Sequence, residues 1–327
     1  MTAPGEAAPA RAPIDDGFFA DIRGEPQWIT LRGADAGATP LLMLTGAGAA
    51  FSRMAPFFAP WETALTLVQW DQPGAGATLA RNGETSLSLD RLAADAAAVA
   101  ETALARLGAE KLVVLGISGG SVIGLKLAKA RPDLVAAFVG TGQIVHWARQ
   151  QSDGYALALA AARTRGDAAA VAALEGVGPP PYPDLAAQMV FSQHANGLTP
   201  AEQAEFAALD PAVTAALAAP PAGARYAPPD LALGDPRAAA MRAWLALEPE
   251  IAAFDARSLG TRFDVPMIFL QGVLDHYTPT AEVFDYAAEL SAPRVSADEI
   301  AGGGHSVVFL RDPFLRLLQL HIHRMSV

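Results

Sequence analysis

Residues 111–131 read KLVVLGISGGSVIGLKLAKAR, and this stretch decides the fold because a strand, a sharp turn and a helix follow one another without a break. Leu112 to Leu115 form a continuous apolar run, as expected of a parallel strand buried on both faces. Residues 116–120, GISGG, form a glycine-rich turn with Ser118 at its centre. Residues 121–131 then place apolar and basic side chains at helical spacing.

The pattern G-x-S-x-G between a strand and a helix predicts a nucleophile elbow. In such a turn the Ser118 hydroxyl projects beyond the sheet, and the N–H of Gly119 points toward a reacting carbonyl. The first turn of the helix adds its positive end to the same place. Short matches of this kind also occur by chance in ordinary turns, so the strand before the serine and the helix after it favour the elbow.

A catalytic serine needs a base and an acid, and both can be found downstream. Asp275 follows the apolar run 265–270, and His305 follows the glycines 302–304 after an expected strand over 294–300. An imidazole activates the serine, and a carboxylate fixes its tautomer. Alternatively, Asp275 caps a turn and His305 is an ordinary loop histidine. Their joint placement after sheet strands, in the order Ser, Asp, His, favours a triad.

A second glycine-rich loop predicts the oxyanion-binding groups. Residues 45–48, TGAG, follow the apolar run 40–44, which is predicted to be a buried strand. A backbone N–H in this loop can join that of Gly119 in binding the oxyanion of a tetrahedral intermediate. Ala47 and Gly119 are therefore the predicted donors.

Composition restricts the class of protein. The 327 residues are 52% hydrophobic and 17% charged, which suits one large α/β domain or a domain with an insertion. The net charge is −11 and no run of basic residues occurs, so nucleic acid is not an expected partner. The absence of cysteine excludes disulfides and thiolate chemistry. Neither a signal peptide nor an apolar run of about 18 residues is visible, so a cytoplasmic protein with no membrane partner is predicted.

Alternating strands and helices predict a mostly parallel sheet with helices on both faces. The alternation stops after residue 143 and resumes near residue 261, which predicts an inserted helical cap with helices near 155–165, 167–174, 199–208 and 236–247. The expected organisation is a flexible tail over 1–16, a core over 17–143, a cap over 144–260 and the second part of the core over 261–327.

Several motifs together resemble the proline iminopeptidase-like (S33-like) branch of the α/β-hydrolases. They are the loop DQPGAGAT at 71–78, the elbow GISGGS at 116–121, GTGQ at 140–143, GPP at 178–180, GVLD at 272–275 and Gly304-His305. The resemblance implies an α/β-hydrolase fold and a serine hydrolase that acts through an acyl-enzyme on a small ester or amide. A proline iminopeptidase-like aminopeptidase without metal or organic cofactor is the leading expectation. The expected partner is a small-molecule or short-peptide substrate, and the oligomeric state stays open.

Two departures from the family leave the substrate open. The family often has His-Gly-Gly-Pro-Gly where this chain has TGAGA at 45–49, and it often has Trp where this chain has Gly119. A carboxylesterase or amidase acting on a small acyl substrate is therefore the alternative.

An aminopeptidase must bind a cationic amine, and the resemblance implies that carboxylates of the cap do so. The cap candidates are Glu175, Glu202, Glu205, Glu248, Glu250 and Asp255. A helix start beside Pro200 accounts for Glu202 and Glu205 as capping residues. Glu248 and Glu250, which lie close to the return to the sheet, are the predicted substrate-binding residues.

The sequence also has features of two other classes of protein. Gly46-x-Gly48 after a strand, with Asp71 at the end of the next strand, partly matches a dinucleotide-binding fingerprint, but the sixth position is Phe51 rather than Gly or Ala. A non-catalytic binding protein with a hydrolase fold is the other possibility.

Overall fold

The computed structural model describes residues 11–46, 50–219, 226–228 and 230–325. Eight strands form a single sheet in the order β1-β2-β4-β3-β5-β6-β7-β8. The strands are β1 Ile14–Ile22, β2 Glu25–Gly33, β3 Pro40–Leu44, β4 Thr66–Asp71, β5 Leu112–Ile117, β6 Val135–Thr141, β7 Met267–Gly272 and β8 Val295–Ile300. The six strands from β4 to β8 across the sheet are parallel, and β2 runs antiparallel to both β1 and β4. The mostly parallel sheet is thus confirmed.

Helices cover both faces of this sheet, as predicted. Those in the described residues are α1 Ala55–Phe58, α2 Gly76–Asn82, α3 Leu89–Leu107, α4 Gly119–Ala130, α5 Trp147–Arg165, α6 Ala168–Val177, α7 Leu185–Ala195, α8 Pro200–Ala207, α9 Pro211–Ala218, α10 Pro236–Ala252, α11 Thr280–Glu289 and α12 Arg311–His323. Four short 3₁₀ segments accompany them at Phe51–Met54, Ala59–Thr63, Ala256–Leu259 and Val307–Phe309. No helix of the described residues is long and apolar enough to cross a membrane.

The central strand β5 shows why its sequence is apolar throughout. Successive side chains of a strand point to opposite faces of the sheet. Leu112 and Val114 lie in the core that includes α3 and α4, whereas Val113 and Leu115 lie in the core that includes α12. Since helices cover both faces, no position of β5 before the turn can be polar without burying an unpaired polar group.

The chain joins the sheet earlier than predicted at its beginning. Ile14 pairs with Gly33 in the hairpin of β1 and β2, so the expected tail boundary at residue 16 falls inside a strand. Most residues of β1 are half-buried, so buried and exposed side chains alternate only weakly along this strand. Residues 1–10 of the predicted tail lie outside the described residues.

The segment between β6 and β7 contains α5 to α10, and the four predicted helical pieces coincide with α5, α6, α8 and α10. Prediction missed α7 and α9. The sequence of α9, PAVTAALA, is apolar at nearly every position although none of its residues is buried, so it has no separate apolar and polar faces that could reveal a helix. Helix α5 also begins at Trp147, eight residues before the predicted start near residue 155.

The turn between β5 and α4 requires glycine at two positions. A Cβ on Gly120 would overlap the backbone carbonyl of Leu44 at the end of β3, and a Cβ on Gly116 would come within 2.7 Å of the Ser121 Cα. Real side chains cannot occupy these positions unless the backbone moves. The elbow therefore packs directly onto the neighbouring strand.

Replacing Gly120 with alanine should destabilise the protein by about 1–3 kcal/mol, the usual cost of overpacking. Urea unfolding measures this change. Gly176 of α6 is the matched control, because a Cβ there meets nothing within 4 Å. Gly176→Ala should be neutral or stabilise by up to about 1 kcal/mol. Equal stabilities of the two variants would contradict the close approach at Gly120.

Candidate active site

Ser118 occupies the strained position of the elbow between β5 and α4. Its φ of 54° and ψ of −126° lie in a region that non-glycine residues rarely adopt. Such a conformation costs about 1–3 kcal/mol and persists only where the surroundings impose it. Here the Ser118 N–H donates to the Thr141 carbonyl at 3.0 Å, and the Ser121 N–H donates to the Ser118 carbonyl at 2.8 Å. Neighbouring strand and helix thus fix the serine from both sides.

The structure brings the three predicted triad residues together. The Nε2 atom of His305 lies 2.9 Å from the Oγ of Ser118. On the other edge of the ring, Nδ1 lies 3.1 Å from Oδ2 and 3.3 Å from Oδ1 of Asp275. His305 and Asp275 are only 5% and 2% exposed. A hydroxyl, an imidazole and a carboxylate therefore form one continuous chain of hydrogen bonds.

Asp275 is held by its own turn, immediately after β7. The N–H groups of Tyr277 and Thr278 donate to its Oδ1 at 2.9 and 2.8 Å, and the Thr278 hydroxyl donates to Oδ2 at 2.7 Å. The same hydroxyl lies 3.1 Å from the Nδ1 of His305. Sequence analysis missed Thr278, although a hydroxyl residue three positions after an Asp is a frequent turn signal.

The loop that carries His305 is fixed by a residue of the segment between β6 and β7. The fully buried carboxylate of Glu202 accepts from the N–H of Gly304 at 2.7 Å and from that of Thr199 at 2.9 Å. Thr199 and Glu202 form a capping box at the start of α8, which confirms the capping expected for Glu202. The further bond to Gly304 places α8 against the residue before the histidine.

Only part of the expected oxyanion site can be located. Gly119 is the first residue of α4, where backbone N–H groups have no partner within the helix. A Cβ on Gly46 would lie 3.7 Å from the Gly119 nitrogen, so the loop after β3 faces this N–H. Ala47, the other predicted donor, lies outside the described residues.

The loop after β4 braces the loop after β3. The side chain of Gln72 donates to the Thr45 carbonyl at 3.1 Å. The carboxylate of Asp71 accepts from the N–H groups of Ser52 at 3.2 Å and Ala77 at 2.9 Å. Because Asp71 is fully buried and occupied in this way, it is not presented to a ribose as a dinucleotide site would require.

Two neighbouring cavities are lined in part by a cluster of three aromatic rings, and one of these cavities includes Ser118. The aromatic cluster consists of Trp147, Trp244 and Tyr277. The ring centroid of Trp147 lies 5.7 Å from that of Trp244 and 5.4 Å from that of Tyr277, and Tyr277 packs edge-on against His305 at 5.0 Å. The first cavity has a volume of about 360 Å³ and is lined by Ser118, Trp244 and Tyr277. The second cavity has a volume of about 510 Å³ and is lined by Trp147. Gln188 lines both cavities.

The two predicted substrate-binding carboxylates are placed differently. Glu248 lines the second cavity together with Gln151 and Tyr182. Glu250 instead accepts from the N–H of Leu89 at 3.0 Å and so caps α3, and it lines neither cavity. Among the described residues that line the cavity at Ser118, none is acidic, and Arg237 is the one basic side chain.

Comparison with known proteins identifies the family. The family model described as serine aminopeptidase, S33, matches residues 40–312. The chain belongs to this family. Among its relatives, the probable aminopeptidase YbaC of Bacillus subtilis is 30% identical over 95 residues, which cover 29% of this chain and 30% of that protein. The matched part is thus less than a third of the relative's length.

Similar solved structures share the fold. One is a proline iminopeptidase-related protein from Thermus thermophilus, with 16% identity, a TM-score of 0.65 and coverage of 95% of this chain and 98% of that chain. Another is an esterase from a Rhodococcus species, with 18% identity, a TM-score of 0.56 and coverage of 96% and 98%. The α/β-hydrolase fold expected from the sequence is thereby confirmed.

Burial of Asp71 predicts a specific dependence of stability on pH. Removal from water raises its pKa from 3.8 to about 6, although the N–H groups of Ala77 and Ser52 oppose the shift. The folded protein therefore holds this proton more tightly than the unfolded chain does. The resulting stabilisation is complete below pH 3.8 and is lost as the pH rises through about 6.

The variant Asp71→Asn cannot ionise and should lack this pH dependence. Between pH 4 and pH 7, the free energy of unfolding of the wild type should fall by about 2 kcal/mol relative to that of the variant, since one pKa unit corresponds to about 1.4 kcal/mol and part of the change already occurs below pH 4. Urea unfolding of both proteins across this range measures the difference. Parallel profiles would contradict the raised pKa.

Proposed function

We propose that this protein is a serine hydrolase that acts on a small ester or amide through an acyl-enzyme on Ser118. The observation that carries the proposal is the continuous hydrogen-bonded chain from the Ser118 hydroxyl through His305 to Asp275. Its three members come from loops that follow β5, β7 and β8. These loops meet at the carboxyl edge of the sheet, where α/β proteins bind their ligands.

The geometry supports a specific sequence of proton transfers. His305 Nε2 accepts the proton of Ser118 while Oγ attacks the substrate carbonyl. Asp275 stabilises the imidazolium that forms, and the Gly119 N–H donates to the oxyanion. The imidazolium then protonates the leaving alcohol or amine, which leaves an ester on Ser118. A water molecule, deprotonated by His305, hydrolyses this ester and regenerates the hydroxyl.

Ser118→Ala should abolish turnover while the protein stays folded. Loss of the nucleophile of a Ser-His-Asp triad costs about a millionfold in kcat. The measurement is hydrolysis of p-nitrophenyl esters and aminoacyl arylamides, with thermal unfolding as the check on folding. A folded Ser118→Ala protein with wild-type activity would refute the proposal.

Aminopeptidase activity of the proline iminopeptidase type is the first candidate for the specificity. Membership of the serine aminopeptidase family supports it, as do the names of the Bacillus and Thermus relatives. Glu248 supports it further, because its carboxylate and the Trp147 ring line one cavity and both attract a cationic amine. The amide carbonyl of Gln151, which is buried without a hydrogen-bond partner, adds an acceptor there.

Carboxylesterase or amidase activity on a neutral acyl group is the second candidate. One observation favours it: the cavity that contains Ser118 has no acidic side chain among its described lining residues. A substrate that occupies only this cavity needs no free amine.

Glu248→Gln distinguishes the two candidates. If the amine binds at Glu248, the variant should raise KM for aminoacyl arylamides with a free amine by about tenfold, since a hydrogen bond to a charged group contributes about 1.5–3 kcal/mol. KM for a neutral p-nitrophenyl ester should change little. The control is Glu175→Gln, which removes an exposed carboxylate that pairs with Arg163. Equal effects of Glu248→Gln on both substrate types would favour the esterase.

A further inference from the structure

We propose that Arg237 makes the enzyme selective for substrates that carry a carboxylate. This inference rests on the proposed function and names a substrate class for the same site. Arg237 and the nucleophile Ser118 line the same cavity. A guanidinium in that position can bind an anionic group of a substrate whose carbonyl lies at Ser118.

The guanidinium of Arg237 is available for a ligand. Among the described residues, no carboxylate lies within salt-bridge distance of it. Arg242, on the same helix α10, instead pairs with Glu84 at 3.0 Å. The first turn of α10 is fixed at Arg237, because the Asp235 side chain accepts from the Arg237 N–H at 2.9 Å and caps the helix. The backbone is therefore held, and the guanidinium has no ionic partner within the part of the chain that the structure describes.

The surroundings of Arg237 suit a single negative charge. Its polar neighbours in the cavity lining, Gln188, Ser192 and Asn196, are all uncharged. One guanidinium with neutral hydrogen-bonding groups balances a carboxylate, whose planar shape it matches with two parallel hydrogen bonds. A phosphate dianion would need further positive charge, and the described lining contains none.

The net charge of the chain bears on how an anionic substrate binds near Arg237. The protein carries a net charge of −11, so its overall field opposes the approach of anions. Binding of an anionic substrate therefore needs a local positive charge, and the solvent-exposed Arg237 supplies one in the lining of this cavity.

The carboxylate can belong to either half of the substrate. In one case it lies on the acyl group, as in the monoester of a dicarboxylic acid. In the other it lies on the leaving group, as in the C-terminal carboxylate of a dipeptide. The second case combines naturally with amine binding at Glu248, because Gln188 lines both cavities and a dipeptide has a charge at each end.

The test compares matched substrates that differ only in the carboxylate. The acyl arm uses p-nitrophenyl hydrogen glutarate against p-nitrophenyl pentanoate. The leaving-group arm uses prolyl-alanine against prolyl-alanine amide. In at least one arm, the wild type should prefer the carboxylate-bearing member by about tenfold or more in kcat/KM, the range of a charge-assisted hydrogen bond. The arm that shows the preference identifies which half carries the carboxylate.

Variants on α10 then assign the preference to Arg237. Arg237→Gln should reduce the ratio of the two kcat/KM values by about tenfold or more, and Arg237→Lys should retain part of it because the charge remains. Arg242→Gln, the matched control, should leave the ratio unchanged. A wild type without preference in either arm, or a preference that survives in Arg237→Gln, would overturn the inference. A different result would contradict the proposed function itself: hydrolysis of the neutral ester at the same rate in Ser118→Ala as in the wild type.

Discussion

The rest of the site depends on one close approach, that of Gly120 to the Leu44 carbonyl at the end of β3. Because no side chain separates them, the turn after β5 can reverse within a few residues and begin α4 at Gly119. Ser118 is forced into a positive φ by this geometry, and its hydroxyl meets the Nε2 of His305 at 2.9 Å. A longer or less constrained turn would allow the Ser118 side chain to adopt other rotamers. Backbone strain and catalytic geometry are therefore two aspects of one packing constraint.

Separate sets of hydrogen bonds hold Asp275 and the loop of His305 in place. The turn at Tyr277 and Thr278 holds the Asp275 carboxylate with three hydrogen bonds. Glu202 holds the residue before His305. Such supporting bonds keep reacting groups within a few tenths of an ångström of the productive geometry, which a long loop alone could not achieve. The fully buried Glu202 also connects α8 to the loop that carries His305, so the helices between β6 and β7 help to position this histidine as well as to line the cavities.

Much of this arrangement could be predicted because it depends on local patterns. The apolar run before Ser118 and the glycines around it specify a strand and an elbow, and chain order indicated Asp275 and His305. What was missed depends on contacts between distant segments. Helix α9 is apolar at nearly every position, so its sequence has no helical alternation of apolar and polar residues, and none of its residues is buried. Glu250 was predicted to bind substrate, but nothing near it in the sequence reveals that Leu89 supplies its partner, 161 positions away.

Substrate charge is the least predictable feature for the same reason. Glu248 and Arg237 are two of the four charged residues of α10, and only the folded chain shows that they line different cavities. The aromatic cluster of Trp147, Trp244 and Tyr277 contributes rings to both cavities and joins residues from three different segments. The spacing of these residues in the sequence does not predict that their rings meet.

The most direct test of the account is to locate the covalent adduct of a fluorophosphonate by mass spectrometry of peptides. The account predicts a single adduct on Ser118, formed by the wild type and greatly slowed in His305→Gln, because the imidazole must remove the hydroxyl proton. An adduct on any other residue, or labelling of Ser118 at the wild-type rate in His305→Gln, would contradict it.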